Sequence, residues 1–209
     1  MYASLRSLTL TTLLTLLFWL PSVSLRAEII TGMTIFDFTP DPSVGLNLSV
    51  NTSSNLVDIF MSGRSDGWFA VGFGRRDMDR TYAIVVDQAG MPSEYRLANF
   101  GFGNALLANN LSLISNSVNG TIRSVHLQRP RDLGSSLPDH FVFPSLPGDI
   151  DLAGASSSGA FGFHANRDGG SITLSAVPEP GSTSLVVACA VVVFGLRRRF
   201  RYSQPSKNC

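Results

Sequence analysis

Cysteine is almost missing from this chain. Its 209 residues include two, Cys189 and Cys209, and both lie near the C-terminal end. Residues 28–176 have none, so that stretch makes no disulfide. It is not a thiolate-ligated zinc or iron–sulfur protein either. With about 150 residues it is long enough to bury one core without a covalent staple.

Positive charge is scarce in the same stretch. The formal +1 of the whole chain hides an asymmetry. All 15 acidic residues fall between Glu28 and Glu179, where nine arginines stand against them for a formal balance of −6. The other seven basic residues sit at the two ends. A domain of that sign has no electrostatic footprint for nucleic acid.

Catalytic signatures are absent too. The sequence has no G-x-S-x-G, no H-E-x-x-H, no P-loop and no Rossmann glycine fingerprint. Its three histidines, His126, His140 and His164, form no close metal-ligand cluster in sequence. No nucleophile stands beside a base, as hydrolytic chemistry requires, and fifteen carboxylates produce acid pairs by chance. The expectation is that the chain is not an enzyme.

No segment of helical length in residues 28–176 keeps the 3.6-residue period. What is there instead is alternation. Leu46, Leu48 and Val50 alternate with Asn47, Ser49 and Asn51, the pattern of a half-buried strand. Val57, Ile59 and Met61 face one way, against Asp58 and Phe60. Residues 68–73 and 82–86 are apolar on both faces, as central strands are. Further strands are expected near 95–99, 111–115, 121–127, 140–143, 160–164 and 172–175. The Gly-, Ala- and Ser-rich stretch 152–160 reads as a loop. Many short strands separated by Gly, Asn, Ser and Pro predict an all-β domain, a sandwich or a barrel. Four N-x-S/T triplets begin at Asn47, Asn51, Asn110 and Asn119, and they read as polar strand and turn positions.

The ends have their own logic. Arg6 precedes an apolar run through Leu20, Pro21 breaks it, and small residues follow. This is the layout of a secretory signal peptide over residues 1–27, cut after Ser24 or after Ala27. At the other end, Val177-Pro178-Glu179-Pro180 precedes a short apolar segment, 185–196, and then Arg197, Arg198 and Arg199. The prolines stop a strand from continuing. The arginines belong on the cytoplasmic side of a membrane, which leaves the domain before them outside. Residues 177–209 resemble the PEP-CTERM sorting tail of Gram-negative bacteria. That resemblance implies an exosortase-type protease as processing partner and a membrane stage before release to the envelope or beyond. It also implies an association with extracellular polysaccharide. A GPI signal normally ends in its hydrophobic stretch, and an uncut single-span anchor is the plain alternative.

Within 28–176, two stretches carry a second resemblance. Asp66-Gly67-Trp68-Phe69-Ala70-Val71-Gly72-Phe73-Gly74 runs into Arg75-Arg76-Asp77-Met78-Asp79. Later, Gly162-Phe163-His164-Ala165-Asn166-Arg167-Asp168-Gly169-Gly170 runs into Ser171-Ile172-Thr173-Leu174. These, with Val125 to Pro130 between them, resemble the DOMON family. The resemblance implies an immunoglobulin-like β-sandwich. From the family's cytochrome members it implies haem b held between Met78 and His164, an electron-transfer role and a redox partner. A loop methionine that caps the sandwich and a buried structural histidine are the plain readings of the same two residues. Met61, on the face of Val57 and Ile59, and Met91, in a Met-Pro turn, are poorer candidates. His126 and His140 read as structural or exposed. Arg129 and Arg167 are candidates for haem propionates or for surface salt bridges. The alternative function is a non-haem carbohydrate-binding or matrix module. For it, Trp68 is the single tryptophan of the domain and is expected in a central strand, while Tyr82 and Tyr95 remain available to stack on sugars.

Overall fold

The computed structural model describes residues 29–98 and 104–177. The signal-peptide reading, and the sorting tail beyond Val177, lie outside the described residues. Among those described, all regular structure is strand. The strands are β1 (Ile29–Phe36), β2 (Val44–Asn51), β3 (Leu56–Arg64), β4 (Gly67–Phe73), β5 (Tyr82–Val86) and β6 (Pro92–Arg96). They continue with β7 (Ala105–Leu106), β8 (Ser112–Asn119), β9 (Ile122–Pro130), β10 (Gly148–Ser158) and β11 (Asn166–Ala176).

Every neighbouring pair is antiparallel, in the order β7-β6-β5-β4-β10-β11-β1-β2-β3-β9-β8. Only two residue pairs, Ile30 with Ala176 and Thr31 with Ser175, join β1 to β11. There the sheet folds on itself into two leaves. The first leaf is β1-β2-β3-β9-β8; the second is β7-β6-β5-β4-β10-β11. This is the β-sandwich expected from the sequence.

The alternation along β2 and β3 decides which side faces in. Leu46, Leu48 and Val50 turn inward with Val57, Ile59 and Met61, and all are buried. They meet Phe69, Val71 and Phe73 of β4 and Ile150, Leu152, Ile172 and Leu174 of β10 and β11. Each such side chain contributes about 1.5–3 kcal/mol by leaving water. Met61 is therefore core, as its spacing suggested.

One edge of this core is polar. Glu94, Tyr82, Arg129 and His140 are all buried. The Tyr82 hydroxyl donates to Glu94 Oε1 at 2.5 Å. The Arg129 guanidinium lies 3.7 Å from the same oxygen, and His140 Nε2 lies 3.8 Å from the other. Arg129 also donates to the Phe141 carbonyl and sits over the rings of Tyr82 and Phe143. Burial pushes the Tyr82 phenol well above its ordinary value. Arg129 is thus a core cation, neither a surface ion pair nor a group that reaches a ligand. Tyr82 is equally unavailable to a sugar.

Three stretches differ from expectation. Residues 152–160 mostly belong to β10 instead of a loop. Their small side chains fit because β10 is covered on both faces: a Cβ at Gly154 would run into the Phe36 ring. Residues 140–143 and 160–164 are not strands. Phe141 instead stacks on Phe73, and Phe143 meets the same ring edge-on, at the end of the core.

Candidate functional site

The outer face of the second leaf is where the two resembling stretches meet. Register puts Trp68, Ala70 and Gly72 of β4 on that face, beside Ala83 and Val85 of β5 and Ala153 and Ala155 of β10. Most of these are small. They form a low floor, and Trp68, Ala70, Val85 and Ala155 are buried on it as a second apolar cluster. A core strand has one covered face by definition. β4 is buried along its entire length because this second face is covered as well.

Two loops do the covering, from opposite ends. Phe73, at the end of β4, pairs with Leu152, and Gly67, at its start, sits opposite Ser158. Loop 74–81 leaves from the Phe73 end and loop 159–165 from the Ser158 end. Loop 74–81 turns at Gly74, whose φ of +88° suits glycine, and whose N–H donates to the Asp151 carbonyl at 2.8 Å. The loop then lies down on the floor. Thr81 fills the space above Gly72, and the Arg76 backbone passes so close over Gly169 that a Cβ there would be 2.6 Å from the Arg76 carbonyl.

The middle of this loop is clamped. Arg75 makes a two-point hydrogen bond to Asp77, at 2.9 and 3.2 Å. Asp77 Oδ1 also accepts from the Asp79 N–H at 3.0 Å, and the Asp77 carbonyl accepts from the Thr81 hydroxyl at 2.7 Å. The Arg75 guanidinium, followed by the Asp79 N–H, holds the Asp77 carboxyl below the ordinary carboxylate range. Met78 is the residue between the two clamped aspartates. It is half-buried and packs against the Trp68 cluster.

The opposite loop is anchored by aromatic contacts. Phe161 meets Trp68 edge-on at 5.0 Å and Tyr95 at 4.8 Å. The Ala165 N–H donates to the Ser156 carbonyl at 3.1 Å. His164 lies in this loop, half-buried, with its ring 4.9 Å from that of the exposed Phe163. It is therefore a loop histidine, not the strand histidine the sequence suggested.

Between the two loops is a cavity of about 520 Å³, within the usual range for a small-molecule site. Met78 and His164 both line it, as do Trp68, Ala70 and Phe161. Arg75 and Arg167 bring positive charge to its lining, with Asp77 and Asp79 beside them. Trp68 Nε1 is fully buried and has no hydrogen-bond partner, a donor that a bound polar group would satisfy.

The remaining candidates are elsewhere. His126 is on the outer face of the first leaf, His140 is in the buried polar edge, and Met91 is exposed beyond a turn. Of the two arginines set against propionates, Arg167 lines the cavity and Arg129 does not. Val177 is described: its N–H donates to the Ile29 carbonyl at 2.9 Å, closing the last strand against the first. The other tail residues, Pro178, Glu179, Pro180, Arg197, Arg198 and Arg199, lie outside the described residues. Sequence reasoning missed the clamp around Met78 and the Phe161–Trp68 contact. An Arg-x-Asp-x-Asp turn and a Phe between glycines were the available signals. Among the described residues, no group of three His, Cys, Asp or Glu side chains is placed to hold a metal ion.

No protein-family model matches this chain, and no curated protein matches it. Among solved structures, it is similar to the cytochrome domain of Myriococcum thermophilum cellobiose dehydrogenase. The identity is 12%, over 73% of this chain and 86% of that one, with a TM-score of 0.56. It is also matched with the cytochrome b domain of pyranose dehydrogenase from Coprinopsis cinerea, at 15% identity over 63% of this chain and 76% of that one, TM-score 0.47. At such identities the first likeness is one of fold: the β-sandwich of a cytochrome domain.

Proposed function

We propose that this chain is an exported haem b module that moves single electrons, with Met78 and His164 as the side chains that would hold the iron. One observation carries the reading. Two side chains far apart in sequence, on loops from opposite ends of a leaf, line the same cavity. The donor set fits the group. A thioether and an imidazole are both neutral ligands that haem iron accepts. The low floor leaves room for a flat ring, and Arg75 and Arg167 suit its carboxylates. The fold shared with a protein described as a cytochrome domain supports the same reading.

Met78 and His164 would hold the iron, and a haem bound there would supply one-electron transfer, at a potential that a methionine ligand would raise. The residues of this chain do the rest. The Asp77 clamp holds the thioether in place, Phe161 and Trp68 keep water from the floor, and the arginines fix orientation. On this reading the chain is not an enzyme and needs a redox partner. The two ends of the sequence support export through a signal peptide. They also support a membrane stage ended by an exosortase-type protease, and final residence in the envelope or outside the cell.

The test is the visible spectrum of the full chain purified from haem-replete cells. A Soret band that shifts on reduction is expected. In Met78→Ala and His164→Ala the six-coordinate low-spin signature is lost while the thermal transition of the apo-protein stays. A protein that is colourless and takes up no added haem overturns the reading.

A further inference from the structure

The sheet order ends at β7 and at β8, and these two edges are built differently. β7 is two residues long. Its neighbour β6 begins at Pro92, which has no N–H to offer. The Pro92 carbonyl accepts from the Asn109 side-chain amide at 3.2 Å, and the Glu94 carbonyl accepts from the Leu107 N–H at 2.9 Å. That edge is short, and residues 107–109 cap it. β8, Ser112–Asn119, is eight residues long, and all eight are exposed. It pairs with β9 on one side, and no strand among the described residues pairs with its other side. At about 3.4 Å per residue it presents roughly 27 Å of backbone donors and acceptors.

Proteins protect such an edge with charge, proline or short length. β8 has none of the three. No charged side chain occurs between Arg96 and Arg123, a run of 26 residues in a domain whose formal balance is −6. One register shift, between Leu113 and Ser115, interrupts β8 near its start and leaves residues 115–119 in regular pairing. The side chains are sorted by face. Ser112, Ser115, Ser117 and Asn119 pair with the outward residues of β9, while Leu113, Asn116 and Val118 pair with the inward Leu127, Val125 and Arg123. Leu113, Val118 and Ile114, the residue at the shift, are exposed all the same. They are apolar surface left in water beside an unpaired backbone.

Symmetry and charge narrow what can cover this edge. Antiparallel pairing with a second β8 about a two-fold axis sets the serine and asparagine row against its own copy on one face. On the other face it sets the side of Leu113 and Val118 against its own copy, so each face meets its like. Net negative charge repels a second copy, and the uncharged run is where that repulsion is least. Assembly also stops at two, because the edges left outside are the two short β7 ends. We propose that a second copy of this chain occupies the edge, so that two five-stranded first leaves join through β8 into one sheet of ten. The Met78–His164 cavity is on the other leaf, and the two readings stand or fall separately.

The rival surface for self-association is the outer face of the first leaf. It carries the exposed Met33 and Ile35, and Phe60 stacked on His126 with centroids 4.1 Å apart. Asn47 lies between Met33 and Phe60 in the same row. A lysine placed on the edge or on the face therefore separates the two.

The test is sedimentation velocity of the full chain over a range of concentrations. A monomer–dimer equilibrium with no larger species is expected, strengthening as salt screens the two negative domains. Ser117→Lys sets like charges against each other along the joined edge and should raise the dissociation constant about tenfold or more. Asn47→Lys makes the same charge change in the middle of the outer face and should leave dimerisation unchanged. Hydrogen exchange of the unaltered chain covers the case of a variant that does not fold. Amides of residues 112–119 should gain protection as concentration rises, and those of Ala105 and Leu106 should not. The proposal is overturned by a chain that stays monomeric at every concentration, or by growth past the dimer. It is also overturned by dimers lost in Asn47→Lys but kept in Ser117→Lys, or by association that neither variant weakens.

Discussion

The two outer faces of this sandwich start from the same architecture and end differently. On the second leaf most of the floor around Trp68 is alanine and glycine, two loops lie on it, and a cavity with both apolar and charged lining forms between them. On the first leaf the outward residues include serines, an asparagine, one aromatic pair and the exposed Met33 and Ile35, and among the described residues no loop covers them. Side-chain size on the floor decides between the two. A loop can lie close to a sheet where small side chains leave room for it, as over Gly72 and Gly169. A covered face can exclude water and hold a cofactor, whereas a bare one can meet only a partner from solution.

The largest effect belongs to neither face. Arg129 is the buried cation beside Glu94, and both are completely enclosed. Arg129→Met leaves that carboxylate without its cation, and breaking a buried pair this way costs about 3–5 kcal/mol. Chemical denaturation should show it, and haem uptake should fall with it, because the core beneath the covered face has been opened. If haem uptake survives at full strength, the covered face does not depend on that core as described.

A matched pair of substitutions tests the floor argument directly. At Gly169 an added Cβ meets the Arg76 backbone carbonyl at 2.6 Å; at Gly45 it meets the Ser62 hydroxyl at 2.5 Å. The distances are alike, but a hydroxyl turns aside and a backbone does not. Gly169→Ala should cost about 1–3 kcal/mol, lift the loop that carries Met78 and weaken haem uptake. Gly45→Ala should stay within about 0.5 kcal/mol, as surface substitutions usually do. Melting of the two apo-proteins side by side checks this, and equal losses would remove size as the distinction.

How much of this was legible depended on what each residue is packed against. The period-2 alternation of β2 and β3 gave the inner face correctly, and with it the outward position of Phe60. The unbroken apolar run of β4 read correctly as a central strand, although its second cover is a pair of loops. The stretch 152–160 misled because Ala, Gly and Ser usually mark loops. Here they mark a strand pressed between Phe36 and the folded-down loops. The aromatic run at 140–143 misled the other way, since strand-prone rings can also cap a core from irregular backbone. Met78 and His164 came from family resemblance and not from any periodicity. Neither loop has a period, and the contact that brings them to one cavity depends on register across β4 and β10, which a single sequence does not display. Arg129 was misplaced because charge normally signals surface, and the partner that makes its burial tolerable, Glu94, is on another strand.

The smallest predicted effect is a pH response confined to the covered face. Asp77 has its carboxyl lowered below the usual value, first by Arg75 and then by the Asp79 N–H. A lowered folded-state value means the clamp contributes in full above the ordinary aspartate range and is lost as pH falls through the folded value. Between pH 5 and pH 8, then, loop 74–81 should not change, and below about pH 3.9 it should loosen. Trp68 reports this without a label. It is the only tryptophan outside the expected signal peptide, it is buried on the floor, and the bare face has none. Its emission should hold constant through neutral pH and move toward that of an exposed indole in acid, ahead of global unfolding measured by far-ultraviolet dichroism. In Asp77→Asn, which keeps the shape but not the charge, that early step should vanish and the emission at pH 7 should already be shifted part of the way. Coincident transitions in the native chain would mean that the loop opens only when the sandwich does, and that the covered face has no local stability of its own.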